Sequence, residues 1–485
     1  MSHCEFLLQG EKYPDELLQI LASLAERYEA ELYVVGGTVR DWLTGVAARD
    51  LDLAVSCRAL EFAGDLARET GGTFVLLDEK EKTARVVWHG CVVDIAGFRN
   101  GAADIRDDLM KRDFTMNSLA VPFCADLPVA LKARTIIDPG GGVEDISRKT
   151  IRALFPESFI DDPLRLLRAF RFFAETGFRI DPQTLQWVGK YRELLAGVAL
   201  ERVSYELDCL MASGRASAAI ELLKEWRVLD VVLPELMMGD GVDQPPSHHL
   251  DVIDHNLEAL KWMEEIVEYP AKFYPEQEDE LVSYLGTGKK KLQLKWAALF
   301  HDLGKPAAVR VADERITFYN HDRLGAELFS DIGQRLRWSR EKREGVARLI
   351  SLHMWPFHLC NVRRKSSVTP KSCLKLCKAS GKDLSGLFLL AMADSLAGQG
   401  PGKPPGMETE LAGLFGQVLD VCRNQVEPVL AGPPLLTGRD LIDTGFEPGP
   451  VFKEILGEAE KAQVEGTIKN RSQALSWLHD FLSSR

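Results

Sequence analysis

The stretch LYVVGGTVRDWLTGVAARDLDLAVS, residues 32–56, limits what this chain can fold into more than any other. An apolar, β-branched run from Leu32 to Val35 meets Gly36-Gly37, which spells a strand entering a tight turn. A short amphipathic helix over Val39 to Leu43 follows, and Asp50 and Asp52 then flank Leu51 at the head of a second apolar run. In an extended chain residues i and i+2 share a face, so the two carboxylates point the same way. Paired anionic oxygens repel each other unless a cation lies between them, and Mg²⁺ suits such ligands in company with phosphates. Gly37 lets backbone N–H groups approach a triphosphate, and Arg40 stands one helical turn beyond it. A strand–turn–helix with two solvated aspartates is the plainer alternative. The glycine turn and the arginine beside the acids favour metal-dependent nucleotide chemistry.

Around this stretch the chain alternates. Leu17, Leu21 and Leu24 give residues 14–30 helical spacing, and a second helix runs from about Arg58 to Glu69. Three strand-like runs follow, TFVLLD, ARVVWH and CVVDIAGF. Asp94 ends the alternation of the last. In a mixed sheet beside Asp50 and Asp52 it is a third carboxylate for the metal that activates an attacking hydroxyl; otherwise it is a plain strand-end aspartate. Lys111, Arg112 and Asp113 then bring cations suited to phosphate or ribose. IIDPGGGVEDI, residues 136–146, reads as a strand-to-helix hinge with Asp138 and Asp145 at its ends. From Ile151 onward strand signals nearly vanish.

The helix over DDPLRLLRAFRFFAETGF, residues 161–178, has Pro163 in its first turn and Asp161 or Asp162 as N-cap. Leu164, Leu167 and Phe170 form its apolar stripe, with Arg165, Arg168 and Arg171 on the other face. Such an arginine ladder is often only a solvated surface. Here Asp162 lies one turn before Arg165, and the spacing predicts a rigid carboxylate–guanidinium pair. Cytosine and adenine each present an amino donor beside a ring-nitrogen acceptor, and uracil and guanine present the reverse. Asp162 accepting and Arg165 donating would take C or A and leave buried polar groups unpaired against U or G.

The 485 residues suffice for about two to four domains. No apolar run reaches membrane-spanning length, and the first residues carry no secretory signal pattern. Nine scattered cysteines without a CxxC pair lead us to expect reduced thiols in a cytoplasm. A net charge of −13 argues against a broadly basic coat for nucleic acid, leaving RNA binding to local basic stripes.

GGTVRD with DLD, KRDFTMNSLA, DPGGGVEDI, DDPLRLLRAFRF and ERVSYEL (201–207) together resemble the bacterial tRNA nucleotidyltransferase and poly(A) polymerase family, the class II branch of the polymerase β-like nucleotidyltransferases. The resemblance implies Mg²⁺ on Asp50 and Asp52, and triphosphate contacts from the Gly36-Gly37 turn and Arg40. It implies a ribose or phosphate contact at Arg112-Asp113, and base reading by Asp162 and Arg165 with Arg168 and Arg171 nearby. Asp161 replaces the usual glutamate, and Lys111 replaces the first of two arginines. Arg112 follows Asp94 by only 18 positions, which leaves little room for the flexible loop of members that switch from C to A. The short segment resembles that of members adding only C.

After a linker at GDGVDQPPSHH a different motif set begins. His255, the adjacent His301-Asp302 in KWAALFHDLGKP, His321-Asp322, His353 and Asp394 resemble the HD phosphohydrolase superfamily. His255, His301, Asp302 and Asp394 are the ligands expected for a second, divalent transition metal. Hydroxide on such a metal cleaves phosphate esters, cyclic ones included; the alternative is a metal-free scaffold. His358 and His479 fit no set. Lys289 to Lys291 and Arg363 to Lys365 are basic spots for RNA phosphates or merely solvated loops.

We therefore expect an α+β chain: an N-terminal mixed-sheet nucleotidyltransferase head (1–150), an all-helical neck (151–240), an HD domain (241–400) and a helical, RNA-binding tail (401–485). The expected activity is template-independent transfer of CMP or AMP from CTP or ATP to the 3′ end of tRNA in the cytoplasm, with two Mg²⁺ ions. Poly(A) polymerase action on other RNAs and HD-type phosphohydrolysis are the alternatives. No membrane partner is expected, and the oligomeric state is left open.

Overall fold

The structure, a computed structural model, describes residues 13–48, 50–123, 136–286, 288–313 and 315–483. It comprises two compact units, Met1–Arg202 with Glu225–Val231, and Val203–Lys224 with Val232–Arg485.

The first unit is built on a mixed sheet. Its strands are β1 (Leu32–Val35), β2 (Leu51–Val55), β3 (Thr73–Asp78), β4 (Thr83–Trp88), β5 (Cys91–Gly97) and β6 (Ala120–Pro122), in the order β3-β4-β5-β2-β1-β6. β2 and β5 run parallel and the other neighbours antiparallel. A parallel pair needs a long crossover. The helices α1 (Asp15–Arg27), α2 (Gly37–Thr44) and α3 (Ala59–Thr70) accompany these strands, and α3 with the β3–β4 hairpin supplies that crossover. α3 packs on β4 and β5 and α1 packs on α3, with Leu17, Leu21, Leu24, Phe62 and Leu66 wholly buried. The register sets Asp52 beside Asp94 on β2–β5, and Arg85 opposite Asp94 on β4–β5.

Four further helices complete the surroundings of the sheet, α4 (Ile105–Met110), α5 (Gly142–Ser147), α6 (Ser158–Asp161) and α7 (Leu164–Thr176). The glycine-rich hinge has a packing reason. Asp138 accepts the N–H groups of Gly142 and Val143 at 2.7 and 3.0 Å, and a Cβ at Gly142 would stand 2.0 Å from the Thr115 carbonyl oxygen. From residue 150 onward, among the described residues, two short strand pairs interrupt the helices.

The second unit is helical at its centre: α8 (Val252–Glu268), α9 (Gly288–Phe300), α10 (His321–Arg335), α11 (Arg340–Leu352) and α12 (Leu384–Ala397). α12 is mostly apolar and buried nearly throughout, as a helix inside a core must be; it packs on α8 and α9 with Leu387 to Leu390 wholly buried. Leu436, Leu441, Ile455, Ile468 and Leu478 form a separate small cluster in the tail.

One expectation changes here. Cys377 and Cys422 form a disulfide, where the sequence reading expected reduced thiols throughout. The partners are 45 residues apart and meet only because the helix Pro370–Ser380 packs on the turn Cys422–Val426, which no local spacing reveals. Within the basic spots Lys290 pairs with Asp383, Lys291 with Glu268 at 3.6 Å and Arg364 with Glu410 at 2.6 Å.

Candidate active site

The turn after β1 is glycine by necessity. Gly36 adopts φ +65° and ψ −124°, backbone that L side chains avoid, and a Cβ there would lie 2.9 Å from Arg112 Nη1. A Cβ on Gly37 would stand 3.0 Å from Asp52 Oδ2. The bare turn thus lets the N-terminus of α2 close on Asp52, whose Oδ2 accepts the Thr38 N–H at 3.2 Å. Thr38 Oγ1 donates to the Asp50 carbonyl and accepts the Asp52 N–H, at 3.0 and 2.8 Å. One threonine therefore fixes the spacing of both acids.

Asp94 joins them from β5. Arg85 donates Nε and Nη2 to its two oxygens at 2.7 and 2.8 Å, and also stands 3.6 Å from Asp50 Oδ2. Burial, with the charge of Asp94, raises the Asp52 carboxyl above its ordinary value, against the lowering effect of the Thr38 N–H, Arg112 and Arg40. A divalent cation between these oxygens would remove that penalty, so the donor set fits a hard metal ion. Tyr13, which the sequence reading passed over, is half-buried with its hydroxyl shielded, and that hydroxyl has no hydrogen-bond partner among the described residues.

The arginines of the head are each held in place. Arg40 donates to Asp41 at 2.9 and 2.7 Å and to Asn117 at 2.8 Å, and its guanidinium lies 5.3 Å from the centre of the Phe172 ring. Arg112, buried, donates Nε and Nη2 to Asp108 Oδ2 at 3.1 and 2.9 Å. Asp113 is buried beneath Arg168, which donates Nε and Nη2 to it at 2.9 and 2.7 Å; the N–H of Phe114 and the amide of Asn117 engage its other oxygen. Burial alone would raise this carboxyl, but the guanidiniums of Arg168 and Arg165 hold it well below the usual range. In this arrangement Asp113 holds Arg168 in position. Arg168 and Arg171 both lie over Phe172, at 5.2 and 4.5 Å.

The expected Asp162–Arg165 pair is not formed. Asp162 accepts from Arg202 Nη2 at 3.1 and 2.9 Å, whereas Arg165 donates to the carbonyls of Lys111, Arg112 and Ser158 at 3.0, 3.3 and 3.5 Å. The helix begins later than expected: Pro163 is the N-cap, and Asp162 sits on extended backbone with φ −141°, its Oδ1 accepting the Leu164 N–H at 3.3 Å. The carbonyls at the C-terminal end of α4 attract the cation instead.

In the second unit the fold gathers His255 from α8, His301 and Asp302 from the end of α9, and Asp394 from α12. His255 Nε2 lies 3.2 Å from both His301 Nε2 and Asp394 Oδ1. His321 and His353 join them, and so does His248, which the sequence reading left in a linker; these side chains make three groups able to hold a metal. The only sequence hint for His248 was a histidine just before the helix that carries His255. Burial depresses His301, but the charges of Asp302 and Asp394 outweigh it and lift the imidazole to about 10. Burial and the neighbouring His321 and His301 depress His353 to about 4.

The Poly A polymerase head domain family matches residues 32–152. The HD domain family matches residues 252–369. The A-adding tRNA nucleotidyltransferase of Deinococcus radiodurans is 33% identical over 456 residues, 92% of this chain and 94% of that protein. The CC-adding tRNA nucleotidyltransferase of Thermus thermophilus is 29% identical over 459 residues, covering 92% and 93%. Among solved structures, a CCA-adding enzyme with CTP shares the fold at a TM-score of 0.62 and 22% identity, over 96% of this chain and 94% of that one. A Thermotoga maritima CCA-adding enzyme complexed with tRNA shares it at 0.59 and 21%, over 96% and 95%.

Proposed function

The chain belongs to the tRNA nucleotidyltransferase and poly(A) polymerase family, and on that premise we propose that its first unit adds C, A or both to the 3′ end of tRNA, taking CTP or ATP and using no template. The observation that carries this reading is the clustering of Asp50, Asp52 and Asp94 beside the Gly36-Gly37 turn, with the first turn of α2 closing on Asp52. Asp50 and Asp52, with Asp94, would hold two Mg²⁺ ions, which supply acidification of the terminal 3′-hydroxyl and charge neutralisation on the departing pyrophosphate.

The chain's own residues do the rest. The glycine turn admits the triphosphate to the backbone N–H groups of α2, and Arg40 and Arg112 offer it positive charge. Asp162 and Arg165 read the base, the carboxylate accepting from the exocyclic amine and the guanidinium donating to the ring nitrogen. To do so they exchange Arg202 and the α4 carbonyls for the base, which makes base selection a rearrangement of existing hydrogen bonds. The segment between Asp94 and Arg112 is filled by the turn Arg99–Gly101 and by α4, whose Asp108 is buried under Arg112. That compactness supports addition of part of a CCA end rather than all of it.

No helix of the described residues is long and apolar enough to cross a membrane, in keeping with a tRNA substrate met in the cytoplasm. The test is addition of labelled CMP and AMP to tRNA lacking its CCA end by the wild-type protein and by Asp52→Ala. The variant is expected to lose at least about a thousandfold in rate. Retained activity would remove the carboxylates from the mechanism.

A further inference from the structure

Three cations of the first unit share one neutral ring. Phe172, on α7 and 4% exposed, has the guanidinium carbons of Arg40, Arg168 and Arg171 at 5.3, 5.2 and 4.5 Å from its centre. Arg168 stands one turn before Phe172 on α7 and Arg171 directly beside it, whereas Arg40 arrives from α2. The ring of Phe114 meets that of Phe172 edge-on, at 5.7 Å and 86°, and braces its tilt.

Guanidiniums gathered so closely repel, and two kinds of contact hold them. Each has a carboxylate: Asp41 for Arg40 and Asp113 for Arg168, both at 2.7 Å, and Glu175 for Arg171 at 3.8 Å. Each also lies over the negative face of the phenyl ring, an attraction that strengthens as water is excluded. Exclusion is far advanced, since the side chains of Arg40 and Arg171 are each 13% exposed. A leucine would fill the same space without offering a face to any cation. A ring has only two faces, so three guanidiniums cannot each hold one alone, and a shift in one changes the seat of another. Hydrogen bonds join two of the three a second time. Arg40 Nη1 donates to Asn117 Oδ1 at 2.8 Å, Asn117 Nδ2 donates to Asp113 Oδ1 at 3.1 Å, and Asp113 Oδ2 accepts from Arg168 Nε at 2.9 Å. Asn117 and Asp113 are both buried, which shields this chain of contacts from competing water.

We infer that Phe172 is a positioning residue of the nucleotide site, its ring seating Arg40, Arg168 and Arg171 together through cation–π contact. The inference rests on the reading of the first unit as a nucleotidyltransferase that takes CTP or ATP. In that reading Arg40 is a cation offered to the triphosphate, and Arg168 and Arg171 belong to the helix that reads the base. Buried as it is, the ring acts through the arginines, and one side chain sets both ends of the nucleotide site.

Ring fluorination separates this role from packing. Fluorine draws electrons from the ring face and scarcely alters its shape, so the hold on a cation weakens while the core stays filled. The full chain is prepared with mono-, di- or trifluorinated phenylalanine at position 172 and dialysed to equilibrium with CTP and with ATP in the presence of Mg²⁺. Affinity for whichever nucleotide the wild-type chain binds more tightly should fall with each fluorine, by about tenfold at the third. Phe172→Leu, which has no ring, should fall at least as far; urea unfolding checks that each variant is folded, and the fluorinated series does not depend on that substitution. In an Arg40→Met background the same series should fall less steeply, because one of the seated cations is gone. Equal affinity across the fluorine series, or an equally steep fall without Arg40, would overturn the role of Phe172 while leaving the nucleotidyltransferase reading in place. A wild-type chain that binds neither nucleotide and extends no tRNA would overturn that reading, and this inference with it.

Discussion

Replacing Gly36 by alanine probes the close approach on which the head site depends. The backbone at φ +65° and ψ −124° is one that an L side chain adopts only under strain, at about 1–3 kcal/mol. The new Cβ would also stand 2.9 Å from Arg112 Nη1. Arg112 has no easy escape, since it is 8% exposed and donates twice to a buried Asp108. Relieving an overpacked contact of this kind costs about 1–3 kcal/mol more, so the variant should lose about 2–6 kcal/mol. Gly45 is the control: its φ of +72° is also left-handed, but nothing lies within 4 Å of a Cβ there. Gly45→Ala should cost only the left-handed penalty of about 1–2 kcal/mol. Urea unfolding of the two variants measures the difference, and equilibrium dialysis with CTP measures the site. Because Arg112 is displaced, Gly36→Ala should bind CTP at least about tenfold more weakly, whereas Gly45→Ala binds it normally. Equal destabilisation of the two variants, with unchanged CTP affinity in both, would refute the steric argument.

Three other expectations follow from the same contacts. Asp113→Asn removes the anion under Arg168; because Arg168 keeps 30% exposure, the loss should be about 2 kcal/mol by chemical denaturation, below that of a fully buried pair. Arg165→Ala should admit UTP and GTP in a nucleotide-incorporation assay, and unchanged discrimination would remove it from base reading. Lys342 is held at about 8 by burial, partly countered by Asp208, with its ammonium 3.6 Å from the Trp338 ring centre. A lysine depressed in the folded state releases its proton before the unfolded chain does. Stability of the second unit should therefore rise with pH from about 8 towards 10.5, by up to about 3 kcal/mol, and Lys342→Met should flatten that rise in urea titrations.

Local pattern carried the architecture a long way. The Gly-Gly turn, the acids at i and i+2, the apolar stripe of Leu164, Leu167 and Phe170 and the mostly apolar α12 are short-range features, and periodicity alone reads them. Partner choice is a different matter. Asp162 finds Arg202, 40 residues on, because the chain enters α7 at Pro163 rather than at an acidic cap. Arg85 reaches Asp94 only through the β4–β5 register. His248 sits among Pro, Ser and Gly residues that spell a linker, yet the fold carries it to the metal-ligating cluster. Cys377 and Cys422 are joined across 45 residues by helix packing. Each of these depends on tertiary contacts that no window of sequence contains.

The account stands most directly on which nucleotides this chain adds to which RNA. The wild-type protein, with Mg²⁺, is given tRNA ending before CCA, after C and after CC, each with one of the four triphosphates, and an unrelated RNA in parallel. One or two residues are expected on tRNA from CTP or ATP alone, with UTP and GTP refused. Long tails on the unrelated RNA, or incorporation indifferent to the base, would contradict it.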